Sequence, residues 1–146
     1  MPTETKNMKF LVVYFSRGGK TKKVAEAIAQ ELDCEAIDVK KGTPDVSGVD
    51  LLVVGSGNYG GKPHDTIQKF IDNLQPSNNS KVAVFATSGG PDPKCIPIME
   101  DALETKGYTV ISSFKCRGRF LFANRGHPNE DDLKNARAFA NKLKNM

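Results

Sequence analysis

At 146 residues, with 38% hydrophobic and 26% charged residues, the chain fits one ordinary domain whose core needs no disulfide or metal staple. The net charge of +4, from 21 Lys and Arg against 17 Asp and Glu, permits an anionic partner; yet there is no Trp and no basic run interleaved with aromatics, which speaks against nucleic-acid binding as the main function. Apolar runs such as Phe10-Leu11-Val12-Val13-Tyr14-Phe15 fall far short of the ~20 residues of a membrane span, the polar start Met1 to Asn7 lacks the pattern of a secretory signal, and Cys34, Cys95 and Cys116 show neither a disulfide framework nor C-x-x-C spacing, so the expectation is a cytoplasmic protein with no membrane association and reduced, packing thiols.

Residues 1–7 read as a flexible N-terminal tail and the remainder as a single domain, with no repeat, low-complexity tract or linker. A first strand is predicted over Lys9 to Phe15, then, after Gly18-Gly19, a helix with Val24, Ile28 and Leu32 four apart on one face. A second, short strand spans Cys34 to Val39, and Lys40 to Asp50 is a crossover made mostly of loop with one helical turn. The third strand is Leu51 to Gly55. From Asp65 the spacing of Ile67, Phe70, Ile71 and Leu74 gives the apolar stripe of a helix lying on a sheet, ended by Pro76 and Ser77-Asn78-Asn79-Ser80. A fourth strand covers Lys81 to Thr87, followed by a Gly/Pro-rich loop from Ser88 to Pro93. Pro97 suits a first helical turn, with Ile98, Met99, Ala102 and Leu103 carrying that helix to Gly107. The fifth strand is Tyr108 to Cys116, and after His127-Pro128-Asn129 the last helix runs from Glu130 to Lys144 with Leu133, Ala136, Ala140 and Leu143 inward. Strict alternation of strands and helices implies an α/β three-layer sandwich: a five-stranded parallel sheet, right-handed crossovers and strand order 2-1-3-4-5.

Strands one, three and four all open into glycine-rich loops: Ser16-Arg17-Gly18-Gly19-Lys20-Thr21, Gly55-Ser56-Gly57-Asn58-Tyr59-Gly60-Gly61 and Thr87-Ser88-Gly89-Gly90. In a parallel sheet these share one rim. Any strand-to-helix turn favours glycine, but three in register suit close approach of backbone N–H groups to a ligand. The first loop sits at a helix N-terminus, which attracts anions, and Ser16 and Thr21 add hydroxyls. Arg17, Lys20, Lys22 and Lys23 crowd the same place, against the helix dipole, and a phosphate would offset that cost; a solvated face with Lys22 and Glu26 paired is the other reading. Gly19-Lys20-Thr21 is not a nucleoside-triphosphate loop, since that spacing needs glycine where Tyr14 stands, and Gly18-Gly19 is not the dinucleotide fingerprint.

These residues carry a family resemblance. The first loop resembles the flavodoxin phosphate loop, [ST]-x-T-G-x-T, and the second and third resemble that family's two further flavin loops, so the likeness extends from Met8 to Lys144. Flavodoxins are themselves an instance of the rule that ligands bind where strand order reverses. The resemblance implies flavin mononucleotide (FMN) as cofactor, with Ser16, Gly19 and Thr21 on its phosphate, Tyr59 flanking the isoalloxazine, and Gly60-Gly61 beside flavin N5. Arg17, Gly18, Lys20, Ser56, Gly57, Asn58, Thr87, Ser88, Gly89 and Gly90 complete the expected cofactor set. Three departures stand out: Gly18 replaces the middle Thr, the third loop lacks a stacking aromatic, and the chain is basic where flavodoxins are acidic. Tyr59 has a plain alternative as a cap on the hydrophobic edge.

No catalytic residue and no metal site are assigned. His64 and His127 lack ligand spacing, Asp65 reads as a helix start rather than a base, and nothing marks Cys95 as a nucleophile. Three functions of different class follow. An electron carrier would work with redox partner proteins as a monomer or weak dimer. An FMN-dependent quinone or nitro-compound reductase would oxidise NAD(P)H. A flavin-free binding domain would purify colourless.

Overall fold

Val, Leu, Ile and Phe occupy both alternating positions of the strand segments, which is the pattern of parallel strands covered on two faces. The computed structural model describes residues 8–59, 61–76, 80–88, 93–117 and 130–145. Its elements are β1 (Phe10–Tyr14), α1 (Lys20–Leu32), β2 (Ala36–Asp38), a 3₁₀ turn (Val39–Lys41), β3 (Leu51–Gly57), α2 (Asp65–Asp72), β4 (Lys81–Ser88), α3 (Cys95–Thr105), β5 (Thr109–Arg117) and α4 (Glu130–Lys144). The five strands form one sheet in the order β2-β1-β3-β4-β5, every neighbouring pair parallel, as the alternation predicts. The expected tail at residues 1–7 and the helix start at His127 to Asn129 lie outside the described residues, as do residues 77–79 of the turn after Pro76.

Two apolar layers sandwich the sheet. Val12, Tyr14, Val53 and Phe85 pack against Val24 and Ile28 of α1 and Ala140 and Leu143 of α4. Leu11, Val13, Val54 and Val84 face the other way, onto Ile67 and Ile71 of α2 and Met99 and Leu103 of α3. All seven residues of β3 are buried. At its centre Gly55 lies directly beside Phe85 of β4, and a Cβ on Gly55 would fall inside that ring.

The differences from expectation have local causes. Cys34 belongs to the end of α1 rather than to β2: Asp33 takes the left-handed conformation at φ 56°, and the Cys34 N–H donates to the Ala29 carbonyl at 3.0 Å. The second strand is therefore three residues long. The crossover after it carries its one turn at Val39–Lys41, capped by the Asp38 carboxylate accepting from the Lys40 N–H at 2.9 Å. In α3 the buried stripe is Cys95, Met99 and Leu103, four apart, so Ile98 stands off the stripe and is 37% exposed. Phe139 joins Ala136, Ala140 and Leu143 on the inner face of α4 and stacks on Phe114 at 5.2 Å. Between Val82 and Ala83 the pairing of β4 with β5 slips by one residue, so Ile111 has no partner in register. Burial pushes the Cys95 and Cys116 thiols up to about 12 and that of Cys34 up to about 11, consistent with packing rather than reactivity.

Candidate functional site

The parallel strands deliver the first two glycine loops and the end of β4 to one edge of the sheet. After β1 the chain turns sharply into α1, and Gly19 makes the turn at φ 91°, a conformation that a side chain would strain. The Ser16 hydroxyl accepts from the Gly19 N–H at 2.9 Å, and the Lys23 N–H closes onto the Gly19 carbonyl at 3.2 Å. Helix α1 has no side-chain cap and no acidic residue in its first turn. The N–H groups of Gly18, Lys20, Thr21 and Lys22 have no hydrogen-bond partner among the described residues. Among the described residues, chain neighbours aside, no atom lies within 4 Å of where a Cβ on Gly18 or Gly19 would sit. This is a cradle of unpaired donors at the positive end of a helix, a fit for a phosphate. Lys22 and Glu26 form no ion pair within the described residues.

Thr21 is buried. Its buried hydroxyl pairs with that of Thr87 at 2.8 Å, tying the start of α1 to the end of β4. In the second loop Ser56 is fully buried; its hydroxyl donates to the Gly57 carbonyl at 2.7 Å and accepts from the His64 N–H at 3.0 Å. The Asn58 N–H donates to the Thr87 carbonyl at 3.0 Å, and its side-chain oxygen accepts from the Cys95 N–H at 3.1 Å. Hydroxyls and amides named as ligand contacts on sequence thus stitch β3, β4 and α3 together beneath the rim. Gly60, Gly89 and Gly90 lie outside the described residues, as does the side chain of Ser88.

Tyr59 and Lys62 exchange backbone hydrogen bonds at 2.8 and 3.2 Å, folding the second loop into a tight turn. The Tyr59 ring lies against Gly57, where a Cβ would come within 3.1 Å of it. Burial raises the Tyr59 phenol, while the Arg17 guanidinium and the Arg17 backbone N–H draw it back down. The ring therefore spans from the second loop to the mouth of the first. Gly61 brings the turn beside α3, its missing Cβ 3.8 Å from that of Lys94.

His64, given no role on sequence, is the hub of this arrangement. Its ring stacks on Phe15 at 3.9 Å and meets the edge of Tyr59 at 5.2 Å. Its Nδ1 accepts from the Thr66 N–H at 3.1 Å, which caps α2. Asp65 is the first residue of that helix, as expected. A histidine immediately before Asp65 and the apolar stripe was the available signal, since an acceptor is wanted at that position. Among the described residues no group of His, Cys, Asp or Glu could hold a metal ion, and no helix is long and apolar enough to cross a membrane.

Comparison with known proteins agrees with this geometry. A family model described as a flavodoxin domain matches residues 11–120. An uncharacterized protein of Methanocaldococcus jannaschii is 38% identical over 148 residues, covering 93% of this chain and 98% of that one. Among solved structures, a flavodoxin from the domain Archaea superposes with a TM-score of 0.76 at 20% identity, over 94% of this chain and 97% of its own. A flavoprotein from Lactobacillus acidophilus, solved in complex with FMN, gives a TM-score of 0.60 at 25% identity, over 74% of this chain and 93% of that one.

Proposed function

Because the chain belongs to the flavodoxin domain family, we propose that it binds FMN at the rim formed by the first two loops and carries electrons between partner proteins in the cytoplasm. The observation that supports this best is the set of N–H groups of Gly18, Lys20, Thr21 and Lys22 without a partner among the described residues, beside a glycine at φ 91° and with no acidic residue in the first turn of the helix. FMN, when bound, supplies reversible one- and two-electron transfer through its ring system. The chain's own residues do the holding. The N–H groups of Gly18, Lys20, Thr21 and Lys22 meet the phosphate, with Lys20 and Arg17 offsetting its charge. The Thr21 and Thr87 pair, Ser56 and Asn58 act beneath that layer by fixing the loops. Tyr59, held in place by His64, flanks the ring system. Gly61 adds to the rim, and Gly60, Ser88, Gly89 and Gly90 enter the proposed cofactor set on the family resemblance alone.

The test is a comparison of FMN with riboflavin, which lacks the phosphate. FMN is expected to survive desalting and colour the protein yellow, with riboflavin bound at least about 100-fold more weakly, since the phosphate contacts are charge-assisted. Equal affinities, or retention of neither, would remove the reading. Sustained NAD(P)H oxidation with an added quinone would move it to a reductase.

A further inference from the structure

We infer that His64 is a positioning residue that sets affinity for the ring system of the cofactor, as distinct from its phosphate: the imidazole has a second task besides starting α2, which is to fix the side chain of Tyr59. This rests on the FMN reading above. Across the three glycine-rich loops, residues 16–21, 55–61 and 87–90, Tyr59 is the one aromatic side chain. Stacking of a flat aromatic ligand on those loops depends on where that ring is held.

The backbone turn between Tyr59 and Lys62 fixes the main chain of the second loop but leaves the tyrosine side chain a choice of rotamers. Two contacts narrow it. Gly57 lies against the ring, where a Cβ would come within 3.1 Å, and the His64 imidazole meets the ring in a T-shaped contact at 5.2 Å and 75°. The imidazole is itself held from three sides. Its face stacks on buried Phe15 at 3.9 Å and 23°, its Nδ1 accepts from the Thr66 N–H at 3.1 Å, and the His64 backbone N–H donates to the buried Ser56 hydroxyl at 3.0 Å. Capping α2 asks only for a short acceptor, which Asp, Asn, Ser or Thr supplies. The stack on Phe15 and the contact with Tyr59 ask for a ring. An aromatic pair of this kind shifts an equilibrium severalfold, and a tyrosine already held in place costs the ligand less to order. None of the printed contacts of His64 reaches the N–H groups of Gly18, Lys20, Thr21 or Lys22, so its influence falls on the ring and not on the phosphate.

The test uses the full chain, cleared of flavin and titrated with FMN, riboflavin and inorganic phosphate, with urea unfolding of each protein alongside. His64→Asn keeps an acceptor for the Thr66 N–H and removes the ring. It is expected to weaken FMN and riboflavin about fivefold or more, to leave the Kd for inorganic phosphate within about twofold, and to unfold near the parent's urea midpoint. His64→Phe keeps a ring and removes the acceptor. It should unfold at lower urea yet bind FMN within about twofold of the parent. In a Tyr59→Ala background, His64→Asn should change the Kd for FMN by less than about twofold, because the histidine acts through that tyrosine. Four results would overturn the inference while FMN still colours the parent: His64→Asn binding FMN as tightly as the parent, equal losses of FMN affinity in His64→Asn and His64→Phe, a loss of phosphate affinity as large as that of FMN, or a full His64→Asn effect with Tyr59 gone. A parent that holds neither FMN nor riboflavin overturns the FMN reading as well.

Discussion

Gly55 and His64 carry more of the site than their side chains suggest. Gly55 lets β3 and β4 pack with Phe85 flat against the backbone, so Gly55→Ala overfills a closed core. We expect a loss of about 3 kcal/mol, read as a lower urea midpoint with an unchanged slope. His64→Ala should cost about 1 kcal/mol through loss of the α2 cap. His64→Asn retains an acceptor for the Thr66 N–H and should recover most of that stability, yet still lose the ring that holds Tyr59, which near-UV circular dichroism would register. At this scale the sequence was partly readable. Gly19 was marked by its place between a strand and a helix, whereas the reason for Gly55 depends on its register with Phe85, thirty residues away. The hydroxyls of Ser16, Ser56 and Thr21 were equally visible as hydroxyls. Which of them face outward is decided by neighbours on other strands, Thr87 above all.

Strands and helices were the most legible elements, because their apolar periods are long and their ends carry Gly, Pro or Asp. The order of the sheet also followed, since alternation leaves few allowed topologies. Misplaced residues fell where a period had few members: Cys34 and Val39 at the ends of a three-residue strand, and Ile98, one step off the true stripe of α3. Cys95 on that stripe gives a pH prediction. Its thiol is raised from 9.0 to about 12 by burial, so the folded protein keeps a proton that the unfolded chain gives up. That contribution is whole below pH 9 and is lost as pH climbs toward 12. Cys95→Ala should therefore cost about 1 kcal/mol near neutrality from lost packing, and the gap to the parent should narrow through that alkaline range in urea titrations run as a pH series.

Over the molecule as a whole, the net charge of +4 is spread over both edges of the sheet: Lys20, Lys22, Lys23, Lys40 and Lys41 share the carboxyl edge of the strands with Asp65, Glu130, Asp131 and Asp132, while Lys9, Lys81 and Lys106 share the opposite edge with Asp33, Glu35, Asp50 and Asp72. Composition cannot register that placement, because it counts charges without saying which ends of the strands bear them. The slip between β4 and β5 has a different consequence. On either side of it the strands keep faith with the same two layers: Val110 with α3, Phe114 and Cys116 with α4. Beside β4, then, β5 holds one residue of slack. Deleting Ile111 should let the edge straighten and still yield a cooperative thermal melt, whereas deleting Val53 from the middle of the sheet should leave no folded protein. Shortening of the chain should thus be tolerated at this outer strand, and a lineage could spend that residue without disturbing the rim formed by the first two loops.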